Sequence, residues 1–305
     1  MLNITTISNR LKNVITNIIS NSQTGFVKGR YIGENIRLIC EIIEHVNEHN
    51  LPGLLFFSDF EKAFDSVSHD FMFDTLKHFN FGDSIINWIK LFYNGANSCV
   101  TNNGFLSNFF PIQRGVRQGC PLSPTLFIIC IELLSFEVSN NENIKGINIC
   151  NEEVKNTLFA DDATFLTDGS QKSFKTLVDV LDNYSYISGL KLNVNKCNVL
   201  RTGSLKSSNV TFCNEKKFQW KSDSAKALGM VFYNDVAKTS ICNINGKIKD
   251  FKNCLKQWQH RKLTLMGKII VVKNFAFPKL VYPLNVLNNI NNETCKEIEN
   301  LIFYH

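Results

Sequence analysis

The chain has 305 residues, of which 44% are hydrophobic and 20% are charged, and its formal net charge is +6. This length exceeds one typical domain and is enough to bury a large core. No run approaches about 18 uninterrupted apolar residues, so we expect no membrane partner. The ten cysteines show no CxxC spacing, and residues 1–20 lack the features of a signal peptide. We therefore expect an intracellular protein with reduced thiols and no zinc site.

The spacing of apolar residues predicts helices and strands that alternate along the chain. In chain order, the predicted elements are helices at 8–20 and 34–49, a strand at 54–60, a hairpin at 98–110, a helix from 121 to about 136, a strand at 147–149 that pairs with 154–159, a hairpin with its acidic tip at 161–162, a helix at 174–189 and a basic helix within 238–279. Strands interrupted by helices in this way predict an α+β fold.

Three of these elements are marked by specific residues. Asn103–Gly104 favours a two-residue hairpin turn. Pro121 lies where the start of a helix tolerates proline, and Gly189 marks a helix end. The run at 54–60 is almost continuously apolar, which is typical of a strand that is covered on both faces.

Carboxylates occur in apolar surroundings at two places. Asp59 lies in the predicted buried strand, and Asp161 and Asp162 lie at the tip of a predicted apolar hairpin. Burying an ionised carboxylate without a partner is costly. Side by side, such groups repel by about 3 kcal/mol per pair at about 5 Å and an effective dielectric near 20, and bound cations would remove that cost. The alternatives are an ordinary acidic turn and an Asp59 that caps a helix beginning near Glu61.

Positive charge is concentrated in residues 238–279. This segment contains ten Lys and Arg against one acid, Asp250, so it carries +9 while the whole chain carries +6. Apolar residues between Ile244 and Trp258 recur at helical spacing, which predicts a helix with one apolar and one basic face. Such a helix suits a polyanion such as a nucleic-acid backbone. The alternative is a lysine-rich face that is only solvated.

Six sequence blocks occur in the order that characterises one protein family. They are QTGFVKGRYIGENI at 23–36, FSDFEKAFDSVSH at 57–69, RGVRQGCPLSPTLF at 114–127, FADD at 159–162, GLKLNVNKCNVL at 189–200 and ALGMV at 227–231. From about Ser8 to the C-terminus, the chain strongly resembles the reverse transcriptase of LINE-type (non-LTR) retrotransposons. FADD alone is a weak signal, whereas RGVRQGCPLSP is specific.

The resemblance implies a fold and an activity. The expected architecture is a right-hand polymerase palm with partial fingers and a helical thumb, with residues 1–58 as partial fingers, 59–235 as palm with interleaved fingers elements and 236–305 as a basic helical thumb. The expected activity is RNA-directed DNA synthesis, which takes an RNA template, a DNA primer and deoxynucleoside triphosphates. Two Mg²⁺ ions are the expected cofactors.

The resemblance also implies roles for individual residues. Asp59, Asp161 and Asp162 match the catalytic, metal-binding carboxylates, with Asp162 in a supporting position. Phe64 matches the bulky residue that excludes a ribose 2′-hydroxyl, and its alternative is a core aromatic. Gln118 and Gly119 match the loop that shapes the nucleotide pocket, and Arg117 is expected to support that loop or to contact the template. Lys28 and Arg30 are candidate phosphate contacts in the fingers, and the alternative for both is a solvated basic loop. Lys196 matches a proton donor to pyrophosphate, and Leu228–Gly229 resembles the primer-grip turn.

Other interpretations stay open at this stage. Family proteins carry more sequence before the QTGF block, so we expect this chain to be a fragment of an element. A catalytically silent nucleic-acid-binding remnant would share the basic segment. An RNA-dependent RNA polymerase would share the palm, although Phe64 argues against it. His45 and His49 match a zinc-protease pattern, but no downstream acid stands in a partner motif, and the solvated end of a helix accounts for them.

Overall fold

The computed structural model describes residues 4–287 and 292–303, in which helices and short strands alternate as an α+β fold. The helices are α1 (Ile4–Val14), α2 (Ile32–Glu48), α3 (Ala63–Ser66), α4 (His69–His78), α5 (Asp83–Tyr93), α6 (Ser123–Asn140), α7 (Gln171–Ser188), α8 (Val236–Gln259), α9 (Leu265–Val271), α10 (Pro278–Val286) and α11 (Asn292–Phe303). The strands are β1 (Pro52–Ser58), β2 (Asn97–Ser98), β3 (Thr101–Asn102), β4 (Phe105–Leu106), β5 (Phe110–Pro111), β6 (Ile147–Ile149), β7 (Glu152–Val154), β8 (Asn156–Phe159), β9 (Asp162–Thr167), β10 (Asn198–Gly203), β11 (Gln219–Lys221), β12 (Ser224–Ala227) and β13 (Met230–Tyr233).

A five-stranded sheet lies at the centre of the fold. Its strand order is β11-β10-β1-β9-β8, with β1 antiparallel to both of its neighbours and β11 parallel to β10. The apolar run of β1 predicts a strand covered on both faces, and the central position of β1 confirms this prediction. A carboxylate at the end of β1 therefore lies at the middle of the sheet edge.

Each face of the sheet packs against its own hydrophobic core. Leu54 and Phe56 point into a core that includes residues of α1, α4, α5, α6 and α7. Leu55 and Phe57 point to the opposite face, where α2, α8 and the β12–β13 hairpin supply the core. This division follows from the alternation of side chains along a strand.

Helix α6 is long and apolar enough to span a membrane, the one such helix within residues 4–287 and 292–303. Of its 18 residues, 67% are buried inside the protein, among them Leu126, Phe127 and Ile131. Burial against the sheet accounts for the apolar composition, so α6 is a core helix by its packing.

The structure confirms most of the predicted elements and corrects one strand pairing. Asn103 and Gly104 both have positive φ and connect β3 to β4, as the predicted hairpin turn requires. Strand β6 pairs with β7 (Glu152–Val154), so only the Ile147–Val154 pair of the predicted 147–149 with 154–159 pairing is present. Cys150 and Asn151 take positive φ and close a tight turn, which places the partner strand directly after them. A Cys-Asn pair is a weak turn signal in sequence.

The predicted division of the chain into subdomains can be compared with the central sheet. A boundary after residue 58 would separate β1 from the sheet of which it is the central strand. Strand β1 hydrogen-bonds to β9 and β10 along its length, so the predicted boundary after residue 58 falls at the end of the central strand. All of the predicted boundaries remain predictions. In the predicted thumb, Ile244, Ile248 and Phe251 of α8 pack into the core beneath α2, which confirms the amphipathic helix.

Candidate active site

The register of the central strands brings three acidic residues together. Strand β1 pairs with β9 so that Ser58 lies opposite Ala163. The next position along this antiparallel pair sets Asp59 beside Asp162. Asp161 lies in the two-residue turn that joins β8 to β9. The three carboxylates, far apart in sequence, thus meet at one end of the central strand, while their catalytic and metal-binding roles remain predictions.

The acidic cluster holds negative charge that the protein does not neutralise fully. Burial raises the pKa of Asp161, a backbone hydrogen bond lowers it and the nearby Asp59 raises it. Burial, followed by repulsion from Asp161 and Asp59, raises the pKa of Asp162 to about 6. Like charges held close together in this way favour the protonated form. A cation at this position would relieve the repulsion.

The donor set fits magnesium of the kind that binds together with a substrate. Across residues 4–287 and 292–303, no three His, Cys, Asp or Glu side chains are arranged to hold a metal ion on their own. Mg²⁺ in polymerase sites takes one or two carboxylates and completes its shell with substrate phosphates and water. Carboxylate oxygens are the ligands this hard cation prefers. Asp59, Asp161 and Asp162 supply such oxygens.

The motif at 189–200 fixes the backbone of Asp59. Phe60 and Leu192 form an antiparallel bridge, and the N–H of Asn193 donates to the Asp59 carbonyl at 2.7 Å. Lys196 follows on the same segment, and its Nζ lies 3.7 Å from Asp59 Oδ2. The ammonium group of Lys196 is therefore at the acidic cluster. Its assignment as a proton donor remains a prediction.

Asp59 does not cap a helix. The short helix α3 begins at Ala63, and its N-cap residue is Lys62. The capping alternative for Asp59 is therefore wrong, because α3 begins four residues beyond it. The backbone between Asp59 and α3 instead pairs with the motif at 189–200, since the N–H of Glu61 donates to the Lys191 carbonyl at 2.8 Å.

Phe64, five residues after Asp59 in the chain, is half-buried. Its ring stacks on the buried Phe127 of α6, with centroids 4.3 Å apart, and meets the ring of Phe26 edge-on at 6.1 Å. Its carbonyl accepts a hydrogen bond from the N–H of Val116 at 2.7 Å. Packing holds this ring in one orientation with part of its surface open. This geometry suits both a steric gate and an aromatic at the edge of the core.

The loop at 114–120 docks on the segment that carries Phe64. Gln118 Nε2 donates to Asp65 Oδ1 at 3.1 Å, and the N–H of Gly115 donates to the Val67 carbonyl at 2.7 Å. A side chain at residue 115 would collide with the Asp65 backbone, and Gly115 has a φ of +86°. Gly119 has a φ of +79° and open space around it. The structure thus places Gln118 against Asp65, the residue after Phe64, and the nucleotide-pocket roles of Gln118 and Gly119 remain predictions.

The guanidinium of Arg30 is used within the protein. It donates to the carbonyls of Ile19, Ser20 and Gln23 and to the side chain of Asn21. These bonds hold the segment between α1 and α2 and leave little of the donor fork for a ligand. The contacts support a structural role for Arg30, and its predicted phosphate contact remains untested. Lys28 is exposed on the same loop.

A tyrosine from the predicted thumb contacts the Leu228–Gly229 turn. This turn connects β12 to β13, and Tyr282 of α10 donates its hydroxyl to the Leu228 carbonyl at 2.6 Å. Burial, followed by the charge of Asp162, raises the pKa of Tyr282 to about 12. Asp59, Asp162, Lys196 and the turn line one cavity of about 470 Å³. The predicted primer-grip turn and the acidic cluster therefore face the same space.

Comparison with known families decides which family the chain belongs to. Residues 4–232 match the family model described as reverse transcriptase (RNA-dependent DNA polymerase). The chain belongs to the reverse transcriptase family. The family assignment covers the segment that contains the acidic cluster, Phe64 and the five-stranded sheet. The predicted resemblance to non-LTR retrotransposon reverse transcriptases is confirmed by the relatives that the chain matches.

These relatives are proteins of mobile elements. The chain is 27% identical to the "Transposon TX1 uncharacterized 149 kDa protein" of Xenopus laevis, over 92% of this chain and 22% of that protein. It is 29% identical to the Pol polyprotein of the type-2 retrotransposable element R2DM of Drosophila melanogaster, over 57% and 16% of the two chains. It is 24% identical to the RNA-directed DNA polymerase from mobile element jockey of Drosophila funebris, over 89% and 30%. The chain thus spans less than a third of these relatives' length.

Solved structures show the same fold at low sequence identity. Telomerase from Candida tropicalis, in complex with the TWJ fragment of telomeric RNA, superposes with a TM-score of 0.56 and 11% identity. The match covers 96% of this chain and 46% of that one. The same enzyme without RNA gives a TM-score of 0.55 over 98% of this chain. The right-hand polymerase fold predicted from the sequence is confirmed.

Sequence reasoning missed one side chain that bonds to the acidic turn and another that bonds to the strand before it in this reverse transcriptase fold. Gln23 hydrogen-bonds both backbone groups of Ala160, the residue before Asp161. Asn35 of α2 donates to Thr157 and Leu158 in β8, the strand that leads into the turn. Gln23 and Asn35 both stand within the recognised block at 23–36. Their partners lie more than 120 residues away along the chain, which no local pattern indicates.

We expect the metal-free protein to lose stability as the pH rises from about 4 to about 6. The ordinary pKa of Asp162 is 3.8, whereas the folded protein raises it to about 6. Between these values the folded state binds more protons than the unfolded state, so the free energy of unfolding falls as the pH rises and stays lower above pH 6. After screening by solvent, the effect is on the order of 1 kcal/mol.

Thermal melting in EDTA checks this expectation. Near neutral pH, Asp162→Asn should have a Tm a few degrees above that of the parent. Near pH 4, the variant and the parent should have the same Tm. Asp179→Asn, at an exposed position on α7, serves as the control and should leave Tm nearly unchanged. If the parent and Asp162→Asn melt together at neutral pH, the carboxylates do not repel one another in the folded state.

Proposed function

We propose that this chain is an RNA-directed DNA polymerase of a non-LTR retrotransposon. The observation that carries the proposal is the convergence of Asp59 with the Asp161–Asp162 turn at the end of the central strand, in a chain of the reverse transcriptase family. The jockey relative is itself named as an RNA-directed DNA polymerase. The partners of this chain would be an RNA template, a DNA primer and deoxynucleoside triphosphates. Its location would be intracellular, which suits its ten free thiols.

Asp59, Asp161 and Asp162 are the residues that would hold two Mg²⁺ ions. When bound, the ions supply activation of the primer 3′-hydroxyl and stabilisation of negative charge on the leaving pyrophosphate. The chain's own contribution is a rigid set of oxygens, since Asp59 is fixed by Asn193 and the turn is part of the sheet. Lys196, whose Nζ is 3.7 Å from Asp59 Oδ2, would pass a proton to the leaving group.

The remaining site residues select and orient the nucleotide in this proposal. Phe64 excludes the ribose 2′-hydroxyl, and Gln118 and Gly119 form the wall of the pocket beside it. The Leu228–Gly229 turn orients the primer end, supported by Tyr282. The basic segment at 238–279 follows the phosphate backbone of the template–primer duplex.

Primer extension tests the proposal directly. The purified chain is incubated with a DNA primer annealed to an RNA template, deoxynucleoside triphosphates and Mg²⁺. Template-dependent extension that EDTA stops supports the proposal. Duplex binding without extension on any template or with any divalent metal would favour the silent remnant. Extension that uses ribonucleotides in preference to deoxynucleotides would favour an RNA-dependent RNA polymerase.

Replacing Phe64 by Ala is expected to admit ribonucleotides. Without the ring, the pocket no longer excludes a 2′-hydroxyl, so the preference for deoxynucleotides should fall by about 10- to 200-fold, the range that one steric contact sets. Deoxynucleotide use should remain close to that of the parent. The measurement is kcat/KM for a matched pair of deoxy- and ribonucleotides.

Phe71→Ala provides the matched control for this substitution. Phe71 is also a half-buried phenylalanine that packs on the same core, but it lies on α4 against Tyr184. This variant should lose stability without a change in sugar preference. If Phe64→Ala discriminates as the parent does, Phe64 is an aromatic of the core edge and selection lies elsewhere.

A further inference from the structure

The side chain of Gln23 closes a set of hydrogen bonds around the backbone of Ala160. Its Oε1 accepts from the N–H of Ala160 at 2.9 Å and from the N–H of Gly25 at 2.7 Å. Its Nε2 donates to the Ala160 carbonyl at 3.3 Å. Gln23 is wholly buried, so all of these bonds are shielded from water. One side-chain amide thus satisfies both backbone groups of the residue that precedes Asp161.

The backbone that Gln23 holds is in an unfavourable conformation. Ala160 has a φ of +57°, in the left-handed region that a residue with a Cβ rarely adopts. Such a conformation is strained and persists where the surroundings hold it in place. The φ and ψ of Ala160 set the direction in which the chain enters Asp161. The Gln23 bonds therefore bear directly on where the Asp161 carboxylate points.

The segment around Gln23 packs against this turn without a gap. A Cβ at residue 25 would collide with the Ala160 nitrogen, so only glycine allows this approach. The N–H of Thr24 donates to the Leu158 carbonyl at 2.9 Å, and the N–H of Leu158 donates to the Ser22 carbonyl at 2.7 Å. Residues 22–24 therefore extend the sheet beyond β8, and Gln23 reaches past the last strand residue to the turn itself.

We propose that Gln23 is a positioning residue for the acidic cluster: its amide fixes the Ala160 peptide and thereby the place of the Asp161 carboxylate. This inference rests on the proposed polymerase function. Mg²⁺ requires near-ideal octahedral geometry, so a small displacement of one carboxylate weakens metal binding and misaligns the reacting atoms. Gln23 itself touches no substrate; it acts through the turn.

Gln23→Met tests the proposal because methionine keeps the volume of the side chain and removes all three hydrogen bonds. Asn35→Leu is the matched control, since Asn35 is also buried and bonds β8 at Thr157 and Leu158 without touching the turn. Each variant is compared with the parent in four measurements: primer extension, binding of an RNA–DNA duplex, thermal melting, and Mn²⁺ binding followed by the loss of the free-ion signal in electron paramagnetic resonance. Mn²⁺ reports on the same oxygen ligands as Mg²⁺.

The two variants should separate in metal binding and rate. Gln23→Met should lower kcat by about 10- to 100-fold and weaken Mn²⁺ binding several-fold, with duplex affinity within about twofold of the parent. Asn35→Leu should lower the melting temperature by about as much as Gln23→Met does. It should keep kcat and Mn²⁺ binding near those of the parent.

Three other outcomes would contradict the inference. If both variants lose rate in proportion to their loss of thermal stability, Gln23 is only a structural residue. Parent-like extension and Mn²⁺ binding by Gln23→Met contradict this inference alone and leave the polymerase function intact. A parent chain that neither extends a primer nor binds Mn²⁺ contradicts the proposed function and a positioning role with it.

Discussion

Asp161→Asn is expected to abolish primer extension while leaving duplex binding nearly unchanged. Asparagine keeps the shape of the side chain but removes the charge that would hold a divalent cation at the turn. We expect the rate of nucleotide addition to fall at least about 10³-fold, which corresponds to about 4 kcal/mol of transition-state stabilisation. Asp59→Asn should have a comparable effect, since the strand register sets Asp59 at the same cluster.

Single-turnover extension and fluorescence anisotropy measure the two halves of this prediction. The rate reports on the acidic cluster, and the anisotropy of a labelled RNA–DNA duplex reports on binding. Asp179→Asn removes an exposed carboxylate on α7 and should leave both quantities unchanged. If Asp161→Asn keeps more than about a tenth of the parent's rate, the acidic cluster is not the catalytic centre. If Asp161→Asn loses duplex binding as severely as it loses rate, the variant is misfolded, and a lowered melting temperature would show this.

The central strand and its carboxylate could be predicted because their signals are local. An apolar run without polar alternation can be buried on both faces only at the interior of a covered sheet, and β1 is there. Asp59 at its end and Asp161 in a turn then share one edge once β1 pairs with β9. The sequence blocks identified the family, and their order implied that Asp59 and the Asp161–Asp162 turn converge on one site.

The bonds that hold the site could not be predicted because their partners lie far apart along the chain. Gln23 and Ala160 are 137 residues apart, and nothing in either segment indicates the other. Arg30 shows the same limit. An arginine in a glycine-containing loop suggests a phosphate ligand, but its guanidinium donates to backbone carbonyls, and a sequence does not show which carbonyls lie near it. Hydrogen bonds from a side chain to a distant backbone group can be identified only in the folded structure.

The basic segment provides the second large expected effect. Lys249 and Lys256 are seven residues apart on α8 and so lie on one face of it, while Lys273 and Lys279 follow it in the chain. All four are exposed and, over residues 4–287 and 292–303, belong to no ion pair. Lys238, Lys247 and Lys252, by contrast, are each within 4 Å of a carboxylate. The first four lysines are therefore available to phosphate groups.

Replacing Lys249, Lys256, Lys273 and Lys279 by Gln is expected to weaken duplex binding steeply and to flatten its salt dependence. Each phosphate contact releases counterions and contributes about 0.9 to the slope of log K against log salt, so losing four should reduce the slope by about 3 to 4.

Four exposed lysines elsewhere, Lys172, Lys175, Lys206 and Lys217, give a control variant of equal net charge that should keep the parent's slope. Binding of the labelled duplex across a salt series measures both. Catalysis need not survive for this result, because counterion release requires no active site. If both variants lose the same affinity and slope, only net charge matters, and the basic face of α8 is a solvated surface rather than a thumb that follows the duplex.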